Sequence, residues 1–181
     1  MITRIEALNY RCLRYVAQDL GPFHILVGPN ASGKSTFLDV PILMRDVLRY
    51  GRTDVGEAVS LRSSNYIDLV WNRSGTRFEV AIELEIPNAL RDAVGNLVGD
   101  LGVVPPAAVC RYELAIGSPS EAQELGILHE ALRVSEKLGS EAALGESAGP
   151  KPGPPPTIMT SEESDAWETI LDRDQDGIAI L

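Results

Sequence analysis

Strict alternation of apolar and polar side chains marks the middle of the chain. From residue 77 to residue 86 every second residue is apolar. A period of two places the two series on opposite faces of a strand, so this segment is predicted to be a half-buried antiparallel β-strand. Residues 66–71 and 109–116 alternate more loosely and are also expected to be strands, while residues 125–134 fit either a strand or a helix. The central part is therefore predicted to be mostly sheet.

The first fifty residues follow a different order. Residues 2–20 fit two short strands around Asn9-Tyr10-Arg11, and residues 23–27 form a compact apolar run typical of a buried strand. From residue 34 to residue 50 the apolar positions recur at helical spacing, and Pro41 is expected to bend that helix. The predicted order is strand, glycine-bearing loop, helix. The helical apolar positions are Phe37, Leu38, Met44, Val47 and Leu48.

A run of proline and glycine separates this region from the end of the chain. Five prolines fall within residues 150–156, which excludes regular helix and central strand, so an extended, solvated linker or loop is expected. Beyond it, two short apolar runs flank Asp176-Gly177, a common hairpin turn. The predicted segments are a nucleotide-binding lobe with an antiparallel sheet over 1–138, the linker over 139–165, and a terminal hairpin of the same lobe over 166–181.

Charge is unevenly distributed. The 181 residues carry 16 Lys+Arg and 26 Asp+Glu, for a net charge of −10, yet residues 121–181 alone hold thirteen acidic and four basic side chains. This balance argues against a protein that coats nucleic acid, because phosphate neutralisation needs clustered Lys and Arg. No apolar run approaches the ~20 residues that span a bilayer, and charges interrupt the N-terminus where a signal peptide is apolar. A cytoplasmic protein without a membrane partner is expected. Cys12 and Cys110 lack disulfide or metal spacing.

Residues 28–36 carry the clearest chemistry. They match the phosphate-binding pattern G-x-x-x-x-G-K-[ST] in full, between an apolar run and a helix. Four residues between the two glycines let successive backbone N–H groups converge on one anion, and the following helix adds its N-terminal dipole. The predicted nucleotide-binding residues are Gly28, Pro29, Asn30, Ala31, Ser32, Gly33, Lys34, Ser35 and Thr36.

Three side chains of this loop have distinct expected roles. The Lys34 ammonium is positioned to reach the β- and γ-phosphates, and the Ser35 hydroxyl is the candidate Mg²⁺ ligand. Thr36 can add a hydroxyl toward the α-phosphate. An incidental lysine in a glycine-rich turn is the alternative, and the flanking elements argue against it.

Weaker signals point to ordinary structural roles. Residues 172–177 match the first half of a calcium loop, but the twelfth-position glutamate would fall beyond Leu181, and an acidic hairpin turn is favoured. His24 and His129 lack catalytic or metal-binding partners at suitable spacing, and packing or surface roles are expected. Trp71 and Trp167 are expected to pack on a sheet face.

The string from Gly28 to Asp39, preceded by Ile-Glu-Ala-Leu-Asn-Tyr-Arg-Cys-Leu, resembles the N-terminal lobe of the ABC-type heads of RecF, SMC proteins and bacterial AAA-family ATP-binding proteins related to OLD nucleases. The resemblance is strong over 1–50 and only architectural over 60–181. It implies an α/β P-loop NTPase fold with an antiparallel β subdomain, ATP and Mg²⁺ as cofactors, and ATP hydrolysis with Lys34 in the catalytic loop. Arg11 matches a basic residue near the nucleotide, although an exposed arginine after an edge strand is the commoner fate.

The departures from that family pattern matter equally. No apolar strand ends in the Walker B pair Asp-Glu, and no L-S-G-G signature is present; the runs before Asp68 and Asp172 are too short. Hydrolysis needs carboxylates that hold Mg²⁺ and orient water, so the fold is expected to be incomplete. The chain is then either an N-terminal fragment of a longer ATPase or a relative that has lost hydrolysis.

Three functional hypotheses remain. The first is the nucleotide-binding lobe of an ABC-type ATPase, completed by a C-terminal lobe and by a second head that sandwiches ATP in a homodimer. The second is a nucleotide-binding or interaction module without turnover. The third is a small P-loop kinase, which two strands before the loop disfavour. A nucleic-acid partner rests on family analogy alone.

Overall fold

One antiparallel sheet organises the protein. The computed structural model describes residues 1–91, 93, 108–119, 124–136, 154–160, 167–174 and 179–180. Within these ranges the strands follow the spatial order β2-β1-β3-β4-β5-β6-β7, and every neighbouring pair is antiparallel. The strands are β1 Ile2–Tyr10, β2 Leu13–Asp19, β3 Arg77–Glu85, β4 Val109–Gly117, β5 Gly126–Ser135, β6 Glu168–Asp174 and β7 Ala179–Ile180.

Helical elements connect β2 to β3. They are the α-helices α1, Lys34–Tyr50, and α2, Val55–Ser60, with 3-10 turns at Arg52–Asp54, Tyr66–Leu69 and Trp71–Arg73. The structure thus confirms a mixed α/β protein with an antiparallel sheet. No helix in the described part of the chain has both the length and the apolar character needed to cross a membrane.

The alternating pattern correctly predicted the central strands. Strand β3 contains all of the predicted 77–86 except its last residue, β4 contains 109–116, and the ambiguous 125–134 forms β5 except for its first residue. Their register aligns the apolar series, with Phe78 opposite Ile116 on the neighbouring strand. One face of the sheet is therefore continuously apolar and receives the helices.

Helix α1 packs on that apolar face, as its spacing predicted, but along a different stripe. Leu38 and Leu48 belong to the apolar positions at helical spacing, yet their side chains are 54% and 62% exposed. The buried stripe runs at intervals of three and four residues, which places Leu38 and Leu48 to one side of the contact. Its members are Phe37, Val40, Leu43, Met44 and Val47.

Two predicted strands are wrong. Residues 23–27 have no strand partner in the described chain, and Phe23 and Val27 are 79% and 84% exposed. An apolar run becomes a buried strand only where neighbours pair with it and cover it. Residues 66–69 and 71–73 form 3-10 turns instead, and Val70 between them makes an isolated bridge to Tyr10. The Asn65 side chain accepts a hydrogen bond from the Ile67 amide at 3.1 Å and caps the first turn.

The second face of the sheet is covered by part of the predicted linker. Residues 157–160 contact the sheet through hydrogen bonds to Glu79 and Glu113, and Ile158 is buried. Residues 139–153 and 161–165 are outside the described ranges. Strands β6 and β7 pair as a hairpin, with Asp172 opposite Ile180, while the Asp176-Gly177 turn is also outside those ranges.

Candidate functional site

The loop over residues 28–33 leads directly into α1. Its backbone visits the left-handed region at Ala31, with φ 63°, and at Gly33, with φ 92°. A Cβ atom at position 33 would lie 2.9 Å from Leu13 Cδ2, closer than carbon atoms pack. Gly33 is therefore favoured chiefly by its left-handed conformation, and an added Cβ would also displace the end of the Leu13 side chain of β2.

The Lys34 ammonium gathers the loop around itself. Its Nζ donates to the Gly28 carbonyl at 2.8 Å, to the Pro29 carbonyl at 2.6 Å and to Ser32 Oγ at 3.3 Å. An ammonium has three donors, so these bonds use its full capacity. The loop is thereby curled around a positive charge at the start of the helix.

The N-terminus of α1 offers a favourable place for an anion. Its first turn contains no acidic residue, and its early amides have no acceptor one turn back. The helix dipole adds partial positive charge at the same end. Ser35 is exposed there, while Thr36 Oγ1 lies 3.3 Å from Cys12 Sγ.

The β1–β2 turn brings Arg11 to the same side of the molecule. Leu13 packs over Gly33 and Cys12 contacts Thr36, so the turn lies against the candidate phosphate-binding loop. Arg11 has φ 51°, and its guanidinium is 3.7 Å from Asp39 of α1. The predicted site residues at 28–36 and Arg11 thus belong to adjoining segments, and their roles toward a nucleotide stay predictions.

A hydrogen-bonded cluster beneath the site was missed in the sequence. Tyr10 donates to Asp39 at 2.5 Å, and Arg62 Nε donates to the same carboxylate at 2.9 and 3.1 Å. Burial, followed by the bond to Asp39, raises the pKa of Tyr10, which stays protonated as a donor. Arg62 also donates to Asp46 at 3.1 Å. Asp39 follows Ser35 by one helical turn, so its position in the sequence could have indicated a carboxylate near the loop. Arg62 has no local sequence signal that would place it there.

Carboxylates suited to a metal do not gather in the described residues. No group of three or more His, Cys, Asp or Glu side chains lies at metal-binding distances there. Asp68 pairs with Arg73 at 2.9 Å, and the buried Asp172 accepts from Arg133 at 2.7 Å. Asp172 of the half calcium loop is therefore held by an arginine, and residues 175–178 are outside the described ranges.

The remaining residues singled out in the sequence have structural contacts. His24 Nε2 accepts a hydrogen bond from the Gly21 amide at 2.6 Å, and His129 Nε2 lies 3.5 Å from Asp172 Oδ1. Trp71 lies in a 3-10 turn rather than on a strand, with the Arg14 guanidinium 5.2 Å from its ring centre. That contact is a cation–π pair.

Comparison with known proteins finds a partial match to a longer protein. No protein-family model matches the chain. Over 48 residues it is 40% identical to the OLD nuclease of Thermus scotoductus (strain ATCC 700910 / SA-01). The match covers 26% of this chain and 9% of that nuclease, so the chain is similar to a small part of a much longer protein.

Proposed function

We propose that the chain binds MgATP through Gly28–Thr36 as the N-terminal lobe of an ABC-type P-loop ATPase. The observation that carries this proposal is the curled loop, whose Lys34 ammonium contacts the carbonyls of Gly28 and Pro29 at the start of a helix. The 40% identity over 48 residues to an OLD nuclease supports it.

The residues present fit a triphosphate. The Ser32 contact is the longest of the three Lys34 bonds, so a phosphate oxygen would replace it at the least cost. Amides of the first turn of α1 would hold the neighbouring oxygens. The exposed Ser35 hydroxyl would bind Mg²⁺, which supplies charge neutralisation to the phosphates.

Turnover is proposed to need groups from outside the described residues. Asp39, the carboxylate one turn after Ser35, already accepts from Tyr10 and Arg62. The Walker B carboxylates would therefore come from a C-terminal lobe, with a second head completing an ATP sandwich. Exposed apolar surface at 23–27 and on the outer side of α1, at Leu38 and Ile42, supports a covering lobe.

Binding without turnover is the second candidate for this chain taken by itself. The engaged state of Asp39 favours it, because the carboxylate one turn after Ser35 already accepts hydrogen bonds from Tyr10 and Arg62. The two candidates share the same site and differ in whether another lobe completes it.

The test compares MgATP binding and turnover in three proteins: the native chain, Lys34→Ala, and Arg49→Ala as the matched control. Arg49 is an exposed basic residue in the last turn of the same helix. Loss of the charged Lys34 contacts is expected to weaken binding about 10- to 100-fold, from ~1.5–3 kcal/mol per charged hydrogen bond. Arg49→Ala is expected to bind normally, and turnover should be near background in all three.

Two results would count against the proposal, each against a different part. Equal ATP affinity in the native and Lys34→Ala chains would remove the phosphate-binding role. Rapid hydrolysis by the native chain, abolished by Lys34→Ala, would show that no second lobe is needed for turnover.

A further inference from the structure

The sheet face opposite α1 carries a buried row of charged side chains. They alternate with the apolar series of the same strands, and each is at most 5% exposed. Glu113 sits at the centre of the row, opposite Ala81 on β3 and Ala131 on β5. These small neighbours leave room above the sheet for another segment. The row comprises Glu79, Glu83, Arg111, Glu113 and Arg133.

Two of these side chains hold residue 158 by its backbone. The Glu79 carboxylate of β3 accepts from the Ile158 amide at 2.8 Å and from the Thr157 hydroxyl at 2.7 Å. On the next strand, Arg111 donates to the Ile158 carbonyl at 3.0 Å. One carboxylate and one guanidinium thus satisfy both polar groups of a single peptide residue.

The same arrangement repeats one strand further along the sheet. Glu113 accepts from the Thr160 amide at 3.1 Å and from its hydroxyl at 2.5 Å. Arg133 of β5 donates to the Thr160 carbonyl at 3.3 Å. The two Glu–Arg clamps therefore contact residues two apart, which is the repeat of an extended peptide.

Apolar contact adds little to this attachment. Ile158 is the buried side chain of the segment and packs with Leu8, Ala81 and Met159 in a small cluster separate from the main core. Recognition consequently rests on backbone amides and carbonyls together with the Thr157 and Thr160 hydroxyls, which donate to Glu79 and Glu113. The three prolines at 154–156 favour an extended conformation and reduce the entropy lost on binding.

We propose that this polar face is a binding site for an extended peptide, filled here by residues 157–160 of the same chain and able to accept the same residues of a second copy. Binding within one chain is favoured because the tether raises the effective concentration of the segment. Between copies, exchange of the segment gives a swapped dimer. The site is independent of the phosphate-binding loop.

The first experiment tests the clamps in the full chain by amide hydrogen exchange. The Ile158 and Thr160 amides are expected to be protected in the native protein. Glu79→Ala should abolish protection at Ile158 while leaving β4 protected, and Glu85→Ala, at the end of the same strand, should change neither amide. Fast exchange of Ile158 and Thr160 in the native chain would overturn the proposal.

The second experiment tests exchange of the segment. In the full chain, residues 157–160 are replaced by Gly-Ser-Gly-Ser, and a fluorescent peptide of residues 154–162 is added. The replaced chain is expected to bind this peptide at least about tenfold more tightly than the native chain, whose own segment competes. N-methylation at residues 158 and 160 should weaken binding about tenfold or more by removing both donors, whereas Met159→Ala should change it little.

Folding is checked by circular dichroism and by the urea transition of the replaced chain. If that chain does not fold, Thr160→Pro provides the vacant half-site, since proline lacks the amide that Glu113 binds. A folded chain that does not bind the peptide, or that binds the N-methylated peptide equally well, would overturn the proposal.

Sedimentation tests exchange between two copies. The replaced chain mixed with a Glu79→Ala, Glu113→Ala chain should yield a heterodimer, and two monomers would refute exchange between copies.

Discussion

The loop over residues 28–33 and the sheet face that carries the two Glu–Arg clamps, here called the clamped face, both bind backbone groups through charged side chains. The loop is exposed to solvent at residues 28–32, whereas the clamped face is buried. Lys34 binds the carbonyls of Gly28 and Pro29 where residues 21–32 are exposed. On the sheet, the buried Glu79 and Arg111 bind the amide and carbonyl of Ile158 beneath residues 157–160. In the loop the charged group lies beside exposed residues, whereas on the sheet the protein's own segment covers the charges. Exposure, rather than residue type, distinguishes the two regions.

This contrast predicts where substitutions should act. A buried charge that loses its counterparts cannot be rescued by water, so changes on the clamped face should mainly lower stability. Changes in the exposed loop should mainly lower ligand affinity, with smaller effects on folding. Three predictions test this difference between stability and ligand affinity. They are given from the largest expected effect to the smallest.

Removal of Arg111 should cause the largest loss of stability. Its guanidinium lies 2.5–3.0 Å from Glu6, Glu83 and Glu113, and these carboxylates raise its pKa although burial opposes them. Arg111→Met would leave uncompensated buried charge, at a cost of about 3–5 kcal/mol in the free energy of unfolding. Urea unfolding measures this cost. Arg49→Met, at an exposed position, is the control, and a cost below ~1 kcal/mol for Arg111→Met would contradict a buried network.

Gly33→Ala should have an intermediate effect on stability and a large one on nucleotide binding. The left-handed backbone and the 2.9 Å approach to Leu13 both oppose a Cβ atom, at about 1–3 kcal/mol. Thermal unfolding and MgATP titration measure the two effects.

Two further variants sharpen the interpretation of Gly33→Ala. Adding Leu13→Ala should recover part of the lost stability, since it removes the contact but not the backbone strain. Gly56→Ala in α2, where nothing lies within 4 Å of an added Cβ, should be stabilising by ~0.5–1 kcal/mol. Equal losses at positions 33 and 56 would mean that the loop imposes no special requirement.

The smallest effect is expected in the pH dependence of stability. Burial raises the pKa of Glu83, whereas Arg111 and Arg4 lower the pKa of Glu6 against the opposing effect of burial. With a raised folded pKa, Glu83 binds its proton more tightly in the native state, so its contribution to stability should increase as pH falls from neutral toward 4.5.

Glu6 has the opposite sign. Its stabilising contribution is present above pH 4.5 and is lost as pH falls through its lowered folded pKa. Urea unfolding should show that the free energy of unfolding of the native chain rises slightly as the pH falls from neutral toward 4.5. This rise should be missing in Glu83→Gln. A gain of equal size in both proteins would assign it to another group.

Local patterns in the sequence predicted the loop and most of the framework. Nine consecutive residues define the phosphate-binding motif, and a period of two located β3 and β4 without knowledge of their neighbours. One of the two failed predictions depended on distant strand partners, and the other on a side chain next to the run. The run at 23–27 is apolar enough for a buried strand but has no described strand beside it, and Asn65 redirects the short run at 66–71 into a 3-10 turn.

The clamped face was beyond the reach of the sequence. Glu79 and Ile158 are 79 residues apart, and Glu113 and Thr160 are 47 apart. Their meeting depends on strand register and on the path of a proline-rich segment, neither of which a local pattern encodes. The alternating glutamates of β3 were therefore expected to face solvent, although Glu79 and Glu83 are 1% and 4% exposed.

Recognition through backbone atoms also affects how this segment can evolve. Every residue except proline presents the same amide and carbonyl, so side chains at a position such as Met159 can drift while the attachment persists. Related chains could then keep the backbone part of this attachment while position 159 varies, whereas Thr157 and Thr160 also contribute hydroxyl donors to the clamps. A substitution library at position 159 should accordingly be tolerated, apart from proline, whereas the four clamp side chains should accept few replacements.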